Sequence, residues 1–106
     1  MGKRRKNTFE NQASSDYEDH QSYTCQLKIP VKYKGETIKS VTIRRSTVAD
    51  MIAIEEQGIN GFVNKNAHYF ALLSGHSPEM FKKMDCSDWN VLVRGVNDFL
   101  GMGGLL

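Results

Sequence analysis

Val41-Thr42-Ile43-Arg44-Arg45-Ser46-Thr47-Val48-Ala49-Asp50 carries a strand straight into a helix. Val41 and Ile43 alternate with Ser40, Thr42 and Arg44, the period-two pattern of a half-buried strand. Thr47 followed three residues later by Asp50 is a capping pair. The hydroxyl accepts from the third helical amide, and the carboxylate reaches back towards the cap. The junction therefore sets strands before helices, and its strand ends on two arginines.

Working towards the N-terminus, Cys25, Leu27 and Ile29 alternate with Thr24, Gln26 and Lys28 in a first strand. Pro30 marks an edge or a strand end, and Val31 and Tyr33 extend the run. Lys34-Gly35 is the turn of a hairpin, and the second strand covers Thr37 to Arg45, with Ile38 shifted by a bulge. A lone hairpin is marginal in water, so its apolar face needs a helical lid.

Towards the C-terminus, a first helix is expected from Val48 to Gln57, with Val48, Met51, Ile52 and Glu55 on one face and Ile54 off it. A second runs from near Asn64 to Gly75, on a face of Ala67, Phe70, Ala71 and Ser74. Ser77-Pro78 starts a short third helix reaching Met84. Asp85-x-x-Asp88 reads as the capping box of the last helix. There Trp89, Leu92, Val93, Val96, Phe99 and Leu100 make one apolar stripe, stopped by Gly101. The fold class is α+β: an N-terminal β-hairpin packed on three to four short α-helices. Three segments are expected: an arm over 1–22 too polar to form a core, one domain over 23–101, and a flexible tail over 102–106.

The chain has 106 residues and net charge +2, and its charge is unevenly spread. Residues 1–22 balance, residues 23–45 carry net +5, and residues 46–106 carry net −3. A basic hairpin thus faces an acidic helical part, an arrangement suited to an asymmetric partner. No apolar run approaches the ~20 residues of a bilayer span. The basic N-terminus lacks the apolar segment of a secretory signal, so a cytoplasmic protein is expected.

No catalytic constellation emerges. Capping accounts for Asp85 and Asp88. Cys25 and Cys86 stand far apart, His68 and His76 are separated by Gly75, and no Cys-x-x-Cys exists, so no metal or cofactor site is expected. The glycines 101, 103 and 104 lack the strand and helix of a phosphate loop. Two non-enzymatic signals are left. Lys3-Arg4-Arg5-Lys6 is a solubilising tail or a nonspecific phosphate binder. The Trp89–Leu100 stripe is core, with any exposed part a partner or self-association surface.

The ordered set Leu27-x-Ile29-Pro30, Lys34-Gly35-Glu36-x-Ile38, Val41-x-Ile43-Arg44-Arg45-x-Thr47-x-x-Asp50, Leu72-Leu73-Ser74-Gly75, Asp85-x-x-Asp88-Trp89 and Phe99-Leu100 resembles the small tail assembly chaperones of contractile-tailed bacteriophages and related prophages. The likeness covers residues 24–101. The arm lies outside the family pattern, and Phe99-Leu100 stands where many members have two phenylalanines.

The resemblance implies a non-enzymatic chaperone in the host bacterial cytoplasm, absent from the mature virion. It would bind the tape measure protein, keep it soluble and help recruit the tail tube protein, with no small-molecule substrate, membrane or nucleic acid among its partners. It also implies a longer form made by a ribosomal frameshift near residues 101–106. The residues expected to meet partners are Arg44, Arg45, Trp89, Leu92, Val96, Phe99 and Leu100, with Arg44-Arg45 first serving an ion pair to the helices. Self-association stays open. So do two rivals: a nucleic-acid module using the arm with Lys32, Lys34, Lys39, Arg44 and Arg45, and a minor structural tail protein.

Overall fold

The computed structural model describes residues 22–102, and the expected arm, except Ser22, and the tail beyond Met102 lie outside them. Strands β1 (Ser22–Tyr33) and β2 (Glu36–Arg44) form an antiparallel hairpin. Its two-residue turn places Lys34 and Gly35 at φ 51° and 81°. Two consecutive positive φ values match the right-handed twist of the flanking strands. Four helices follow: α1 (Val48–Glu56), α2 (Phe62–Ser74), α3 (Pro78–Phe81) and α4 (Cys86–Leu100). The class is α+β, as the sequence pattern predicts. The second helix starts two residues earlier than expected, and the third is one turn rather than two.

The helices lie over one face of the hairpin, α4 against β1 and α2 against β2. Val41 and Ile43 meet Tyr69, Phe70, Leu92 and Val96 in a core from which water is excluded. α4 approaches the hairpin closely because Gly95 has no side chain. A Cβ there would lie 1.9 Å from the Tyr23 hydroxyl oxygen.

Register is broken once. Gln26 pairs with Ser40, but Val31 pairs with Ile38, so residues 27–30 of β1 face Lys39 alone. The inward set of β2 accordingly moves from Val41 to Ile38, the shift that the alternation pattern predicts. The bulge carries Ile29 outward, to 54% exposure, against the simple alternation that puts it inside. Its amides turn to α4 instead. Lys28 N and Ile29 N donate to the two carboxylate oxygens of Asp88, at 3.1 and 3.0 Å. Asp88 is only 3% exposed. The expected Asp85-x-x-Asp88 capping box is thus only half present: Asp85 caps α4 through Ser87 N at 3.0 Å, while Asp88 leaves the cap and satisfies the bulge.

A second correction concerns α1. Ile54, placed off the apolar face by periodicity, is its buried residue at 1% exposure, whereas Val48 and Ile52 are 71% and 48% exposed. The cause is Asp50. It is tied back to Arg44, and Ile54 lies one turn beyond Asp50 on the same side. At about 100° per residue, Val48 and Ile52 then point about 160–200° away.

Two substitutions test this packing. Gly95→Ala is expected to lower stability by about 1–3 kcal/mol in urea unfolding, and by clearly less in a Tyr23→Ala background. Asp88→Ala leaves two bulge amides without acceptors and is expected to cost about 2–3 kcal/mol. Hydrogen exchange should then accelerate at Lys28 and Ile29 more than at Thr24 or Thr42; uniform acceleration would contradict this role.

Candidate partner-binding surfaces

Arg44, which ends β2, and Arg45, which follows it, are both engaged within the fold. Arg44 forks onto Asp50, Nη1 donating to Oδ2 at 2.9 Å and Nη2 to Oδ1 at 3.2 Å. The same carboxylate accepts from Thr47 N at 2.9 Å, and Asp50 N donates to Thr47 Oγ1 at 3.2 Å, completing a capping box. The Arg44 guanidinium, with the Thr47 amide second, lowers the Asp50 carboxyl to about 2. Arg45 reaches the other end of the helical layer. Its Nη1 donates to the Phe99 carbonyl at 3.2 Å, and its guanidinium lies 4.9 Å from the Phe99 ring centroid. It therefore meets the last turn of α4, where carbonyls lack helical partners and the dipole is negative. Phe99 in turn stacks on Tyr23 at 6.0 Å.

The Trp89–Leu100 stripe divides by burial. Leu92 and Val96 have no accessible surface and pack the core. Trp89, Phe99 and Leu100 are half-buried. Leu100 borders a small pocket of about 160 Å³ beside Arg45, Met51, Tyr69 and Met102. Trp89 joins an aromatic cluster, 5.2 Å from Phe70 and 6.5 Å from Phe81 between centroids.

One face of that cluster is open. Val63, Asn64 and Ala67 of α2, Phe81 of α3, Lys82 and Met84 beyond it, and Cys86 and Trp89 of α4 line a groove of about 480 Å³. Of these, only Trp89 is singled out by the stripe pattern. Val63 falls at the start of a helix that the sequence reading begins later, and three separate segments must meet before any groove exists. More apolar side chains stand outward on the helical layer: Val48 and Ile52 on α1, Phe62 on α2, and Val91 on α4. On the hairpin, Lys28, Lys32, Lys34 and Lys39 are exposed. Among the described residues, no group of three or more His, Cys, Asp or Glu is placed to hold a metal ion, and no helix is long and apolar enough to cross a membrane.

A family model described as phage tail assembly chaperone proteins, E, or 41 or 14, matches residues 24–101. The chain belongs to this family of tail assembly chaperones. The match begins in β1 and ends at Gly101, the left-handed cap of α4, so it takes in nearly the whole described fold of the chaperone. Searches of the curated proteins and of the solved structures give no match.

The Arg44–Asp50 pair makes the chaperone's stability acid-sensitive in a defined window. The folded Asp50 carboxyl titrates near 2, below the unfolded value of about 3.9, so its contribution is present above pH ~4 and lost as pH falls towards 2. Wild type should be more stable than Asp50→Asn at neutral pH, with the gap closing between about pH 4 and pH 2 in urea titrations.

Proposed function

We propose that this tail assembly chaperone acts by binding the tape measure protein, keeping it soluble and helping to recruit the tail tube protein around it. The observation that carries this reading is the open apolar groove at Trp89, which Val63 lines, on a helical layer that also leaves Val48, Ile52, Phe62 and Val91 outward. Apolar side chains that line an open groove, as Val63 and Trp89 do, mark sites of association. A long helical client with exposed apolar faces has the matching need, and helix-in-groove packing satisfies both. Arg44 and Arg45 then serve the chaperone's own architecture, with docking secondary. The partner set narrows to Trp89, Phe99 and Leu100 and the outward residues of α1 and α2. The work belongs to the host cytoplasm before the tail is complete. The chaperone leaves before the virion matures, and a frameshifted longer form extends it beyond residue 106.

Co-expression provides the test. The tape measure protein should move from the insoluble to the soluble fraction when the chaperone is present, and Val48→Asp with Val63→Asp should abolish this while leaving circular dichroism unchanged. A tape measure protein equally insoluble with and without the chaperone would refute the proposal.

A further inference from the structure

We infer that residues 9–19 of the arm fold back as a helix onto the groove at Trp89 of the same chain and cover it until a client displaces them. Between Thr8 and His20 the apolar residues are Phe9, Ala13 and Tyr17, at i, i+4 and i+8. At about 100° per residue they share an arc of about 80°, and Glu10 and Asp16 flank it about 20° beyond either side. Residues 9–19 hold four carboxylates and no lysine or arginine. Such a segment is too polar to fold alone, yet it carries one narrow apolar edge with acid on both sides. Anchors at this spacing are those of a helix that docks in a groove.

The groove is the complement of that edge. Ala67 is small, with Val63, Phe81, Met84 and Trp89 around it, so side chains can enter between them. The rim is basic although residues 46–106 as a whole are net acidic: Lys82 lines the groove and Lys83 follows it, both exposed. The acids beside it are engaged elsewhere, Asp88 by the hairpin bulge and Asp85 by Ser87. Glu79 pairs with Lys82 at 3.2 Å, but both ends are exposed and such a pair exchanges readily.

The path of the chain allows the contact. Asp88, next to Trp89, holds the amides of Lys28 and Ile29, so the groove lies near the middle of β1. From Ser22 to Lys28 the strand runs about 20 Å. The five residues from Tyr17 to Ser22 reach at most about 18 Å. A helix from Tyr17 back to Phe9 adds about 12 Å, so the docked segment brackets the groove. Tethering holds it there at an effective concentration in about the millimolar range, and even weak docking then shields Trp89. The contact stands on these residues alone; its consequence, that the tape measure protein must outcompete the arm, rests on the client binding proposed above.

Two readouts on the full chain, without client, test this. Phe9→Asp with Tyr17→Asp should shift the emission of the single tryptophan, Trp89, to the red and raise its quenching by acrylamide. Glu10→Lys with Asp16→Lys should do the same, and adding Lys82→Glu with Lys83→Glu to that chain should reverse it, which excludes a folding defect. Under diamide oxidation, Ala13→Cys should form an intrachain disulfide with the exposed Cys86, at a rate independent of protein concentration. Ser15→Cys, on the opposite side of the helix, should react about tenfold more slowly. Trp89 emission indifferent to the arm substitutions, equal rates from positions 13 and 15, or a disulfide formed only between copies overturns the inference. None of these readouts involves the tape measure protein, so the co-expression result stands or falls separately.

Discussion

The hairpin strands differ in length across their register: four residues of β1 oppose one of β2, and the surplus backbone has to be satisfied somewhere. Asp88 does this from the helical layer, its two oxygens each taking one amide of the bulge. A buried carboxylate is unfavourable without donors, and a buried amide without an acceptor. Each solves the other's problem, and in doing so they dock α4 on β1 in one position. The close approach at Gly95, the Tyr23–Phe99 stack and the reach of Arg45 to the Phe99 carbonyl all follow from α4 lying there.

A second constraint acts at the other end of the hairpin. Asp50 is shared between the cap of α1 and the Arg44 fork, so the helix cannot rotate without losing both. That rotation decides which aliphatic residues face water. The outward position of Val48 and Ile52 is therefore not a packing defect of a small domain; it is enforced by an ion pair whose other functions are purely local. For an assembly factor, a helix held with its apolar edge outward is a usable surface.

These two constraints also mark how far the sequence could be read. Elements announced by their own residues were legible: the period-two strands, Ser77-Pro78, Thr47 with Asp50, and the stripe ended by Gly101. The family was legible too, from the order of those motifs. Asp88 misled because a carboxylate three residues after Asp85 has a sufficient local explanation, and nothing near it reveals an amide 60 residues away. Ile54 misled because periodicity gives faces but not which one turns inward. The groove was out of reach for a related reason: Val63, Phe81 and Trp89 belong to segments that share no pattern along the chain. Arg44 was the exception, since an arginine just ahead of a capped helix has an acid within reach.

The distance between Lys28 and Asp88 along the chain also orders folding in time. The hairpin is local and can close as soon as it is made. Its bulge amides have water as their acceptor until α4 has been synthesised, about 3–12 seconds later at about 5–20 residues per second. Completion of the first element thus awaits the last, and a nascent chain that has not yet made α4 carries a hairpin with an open seam. The domain closes only when nearly all of it is present, so a truncated product lacks the contact that would make it compact.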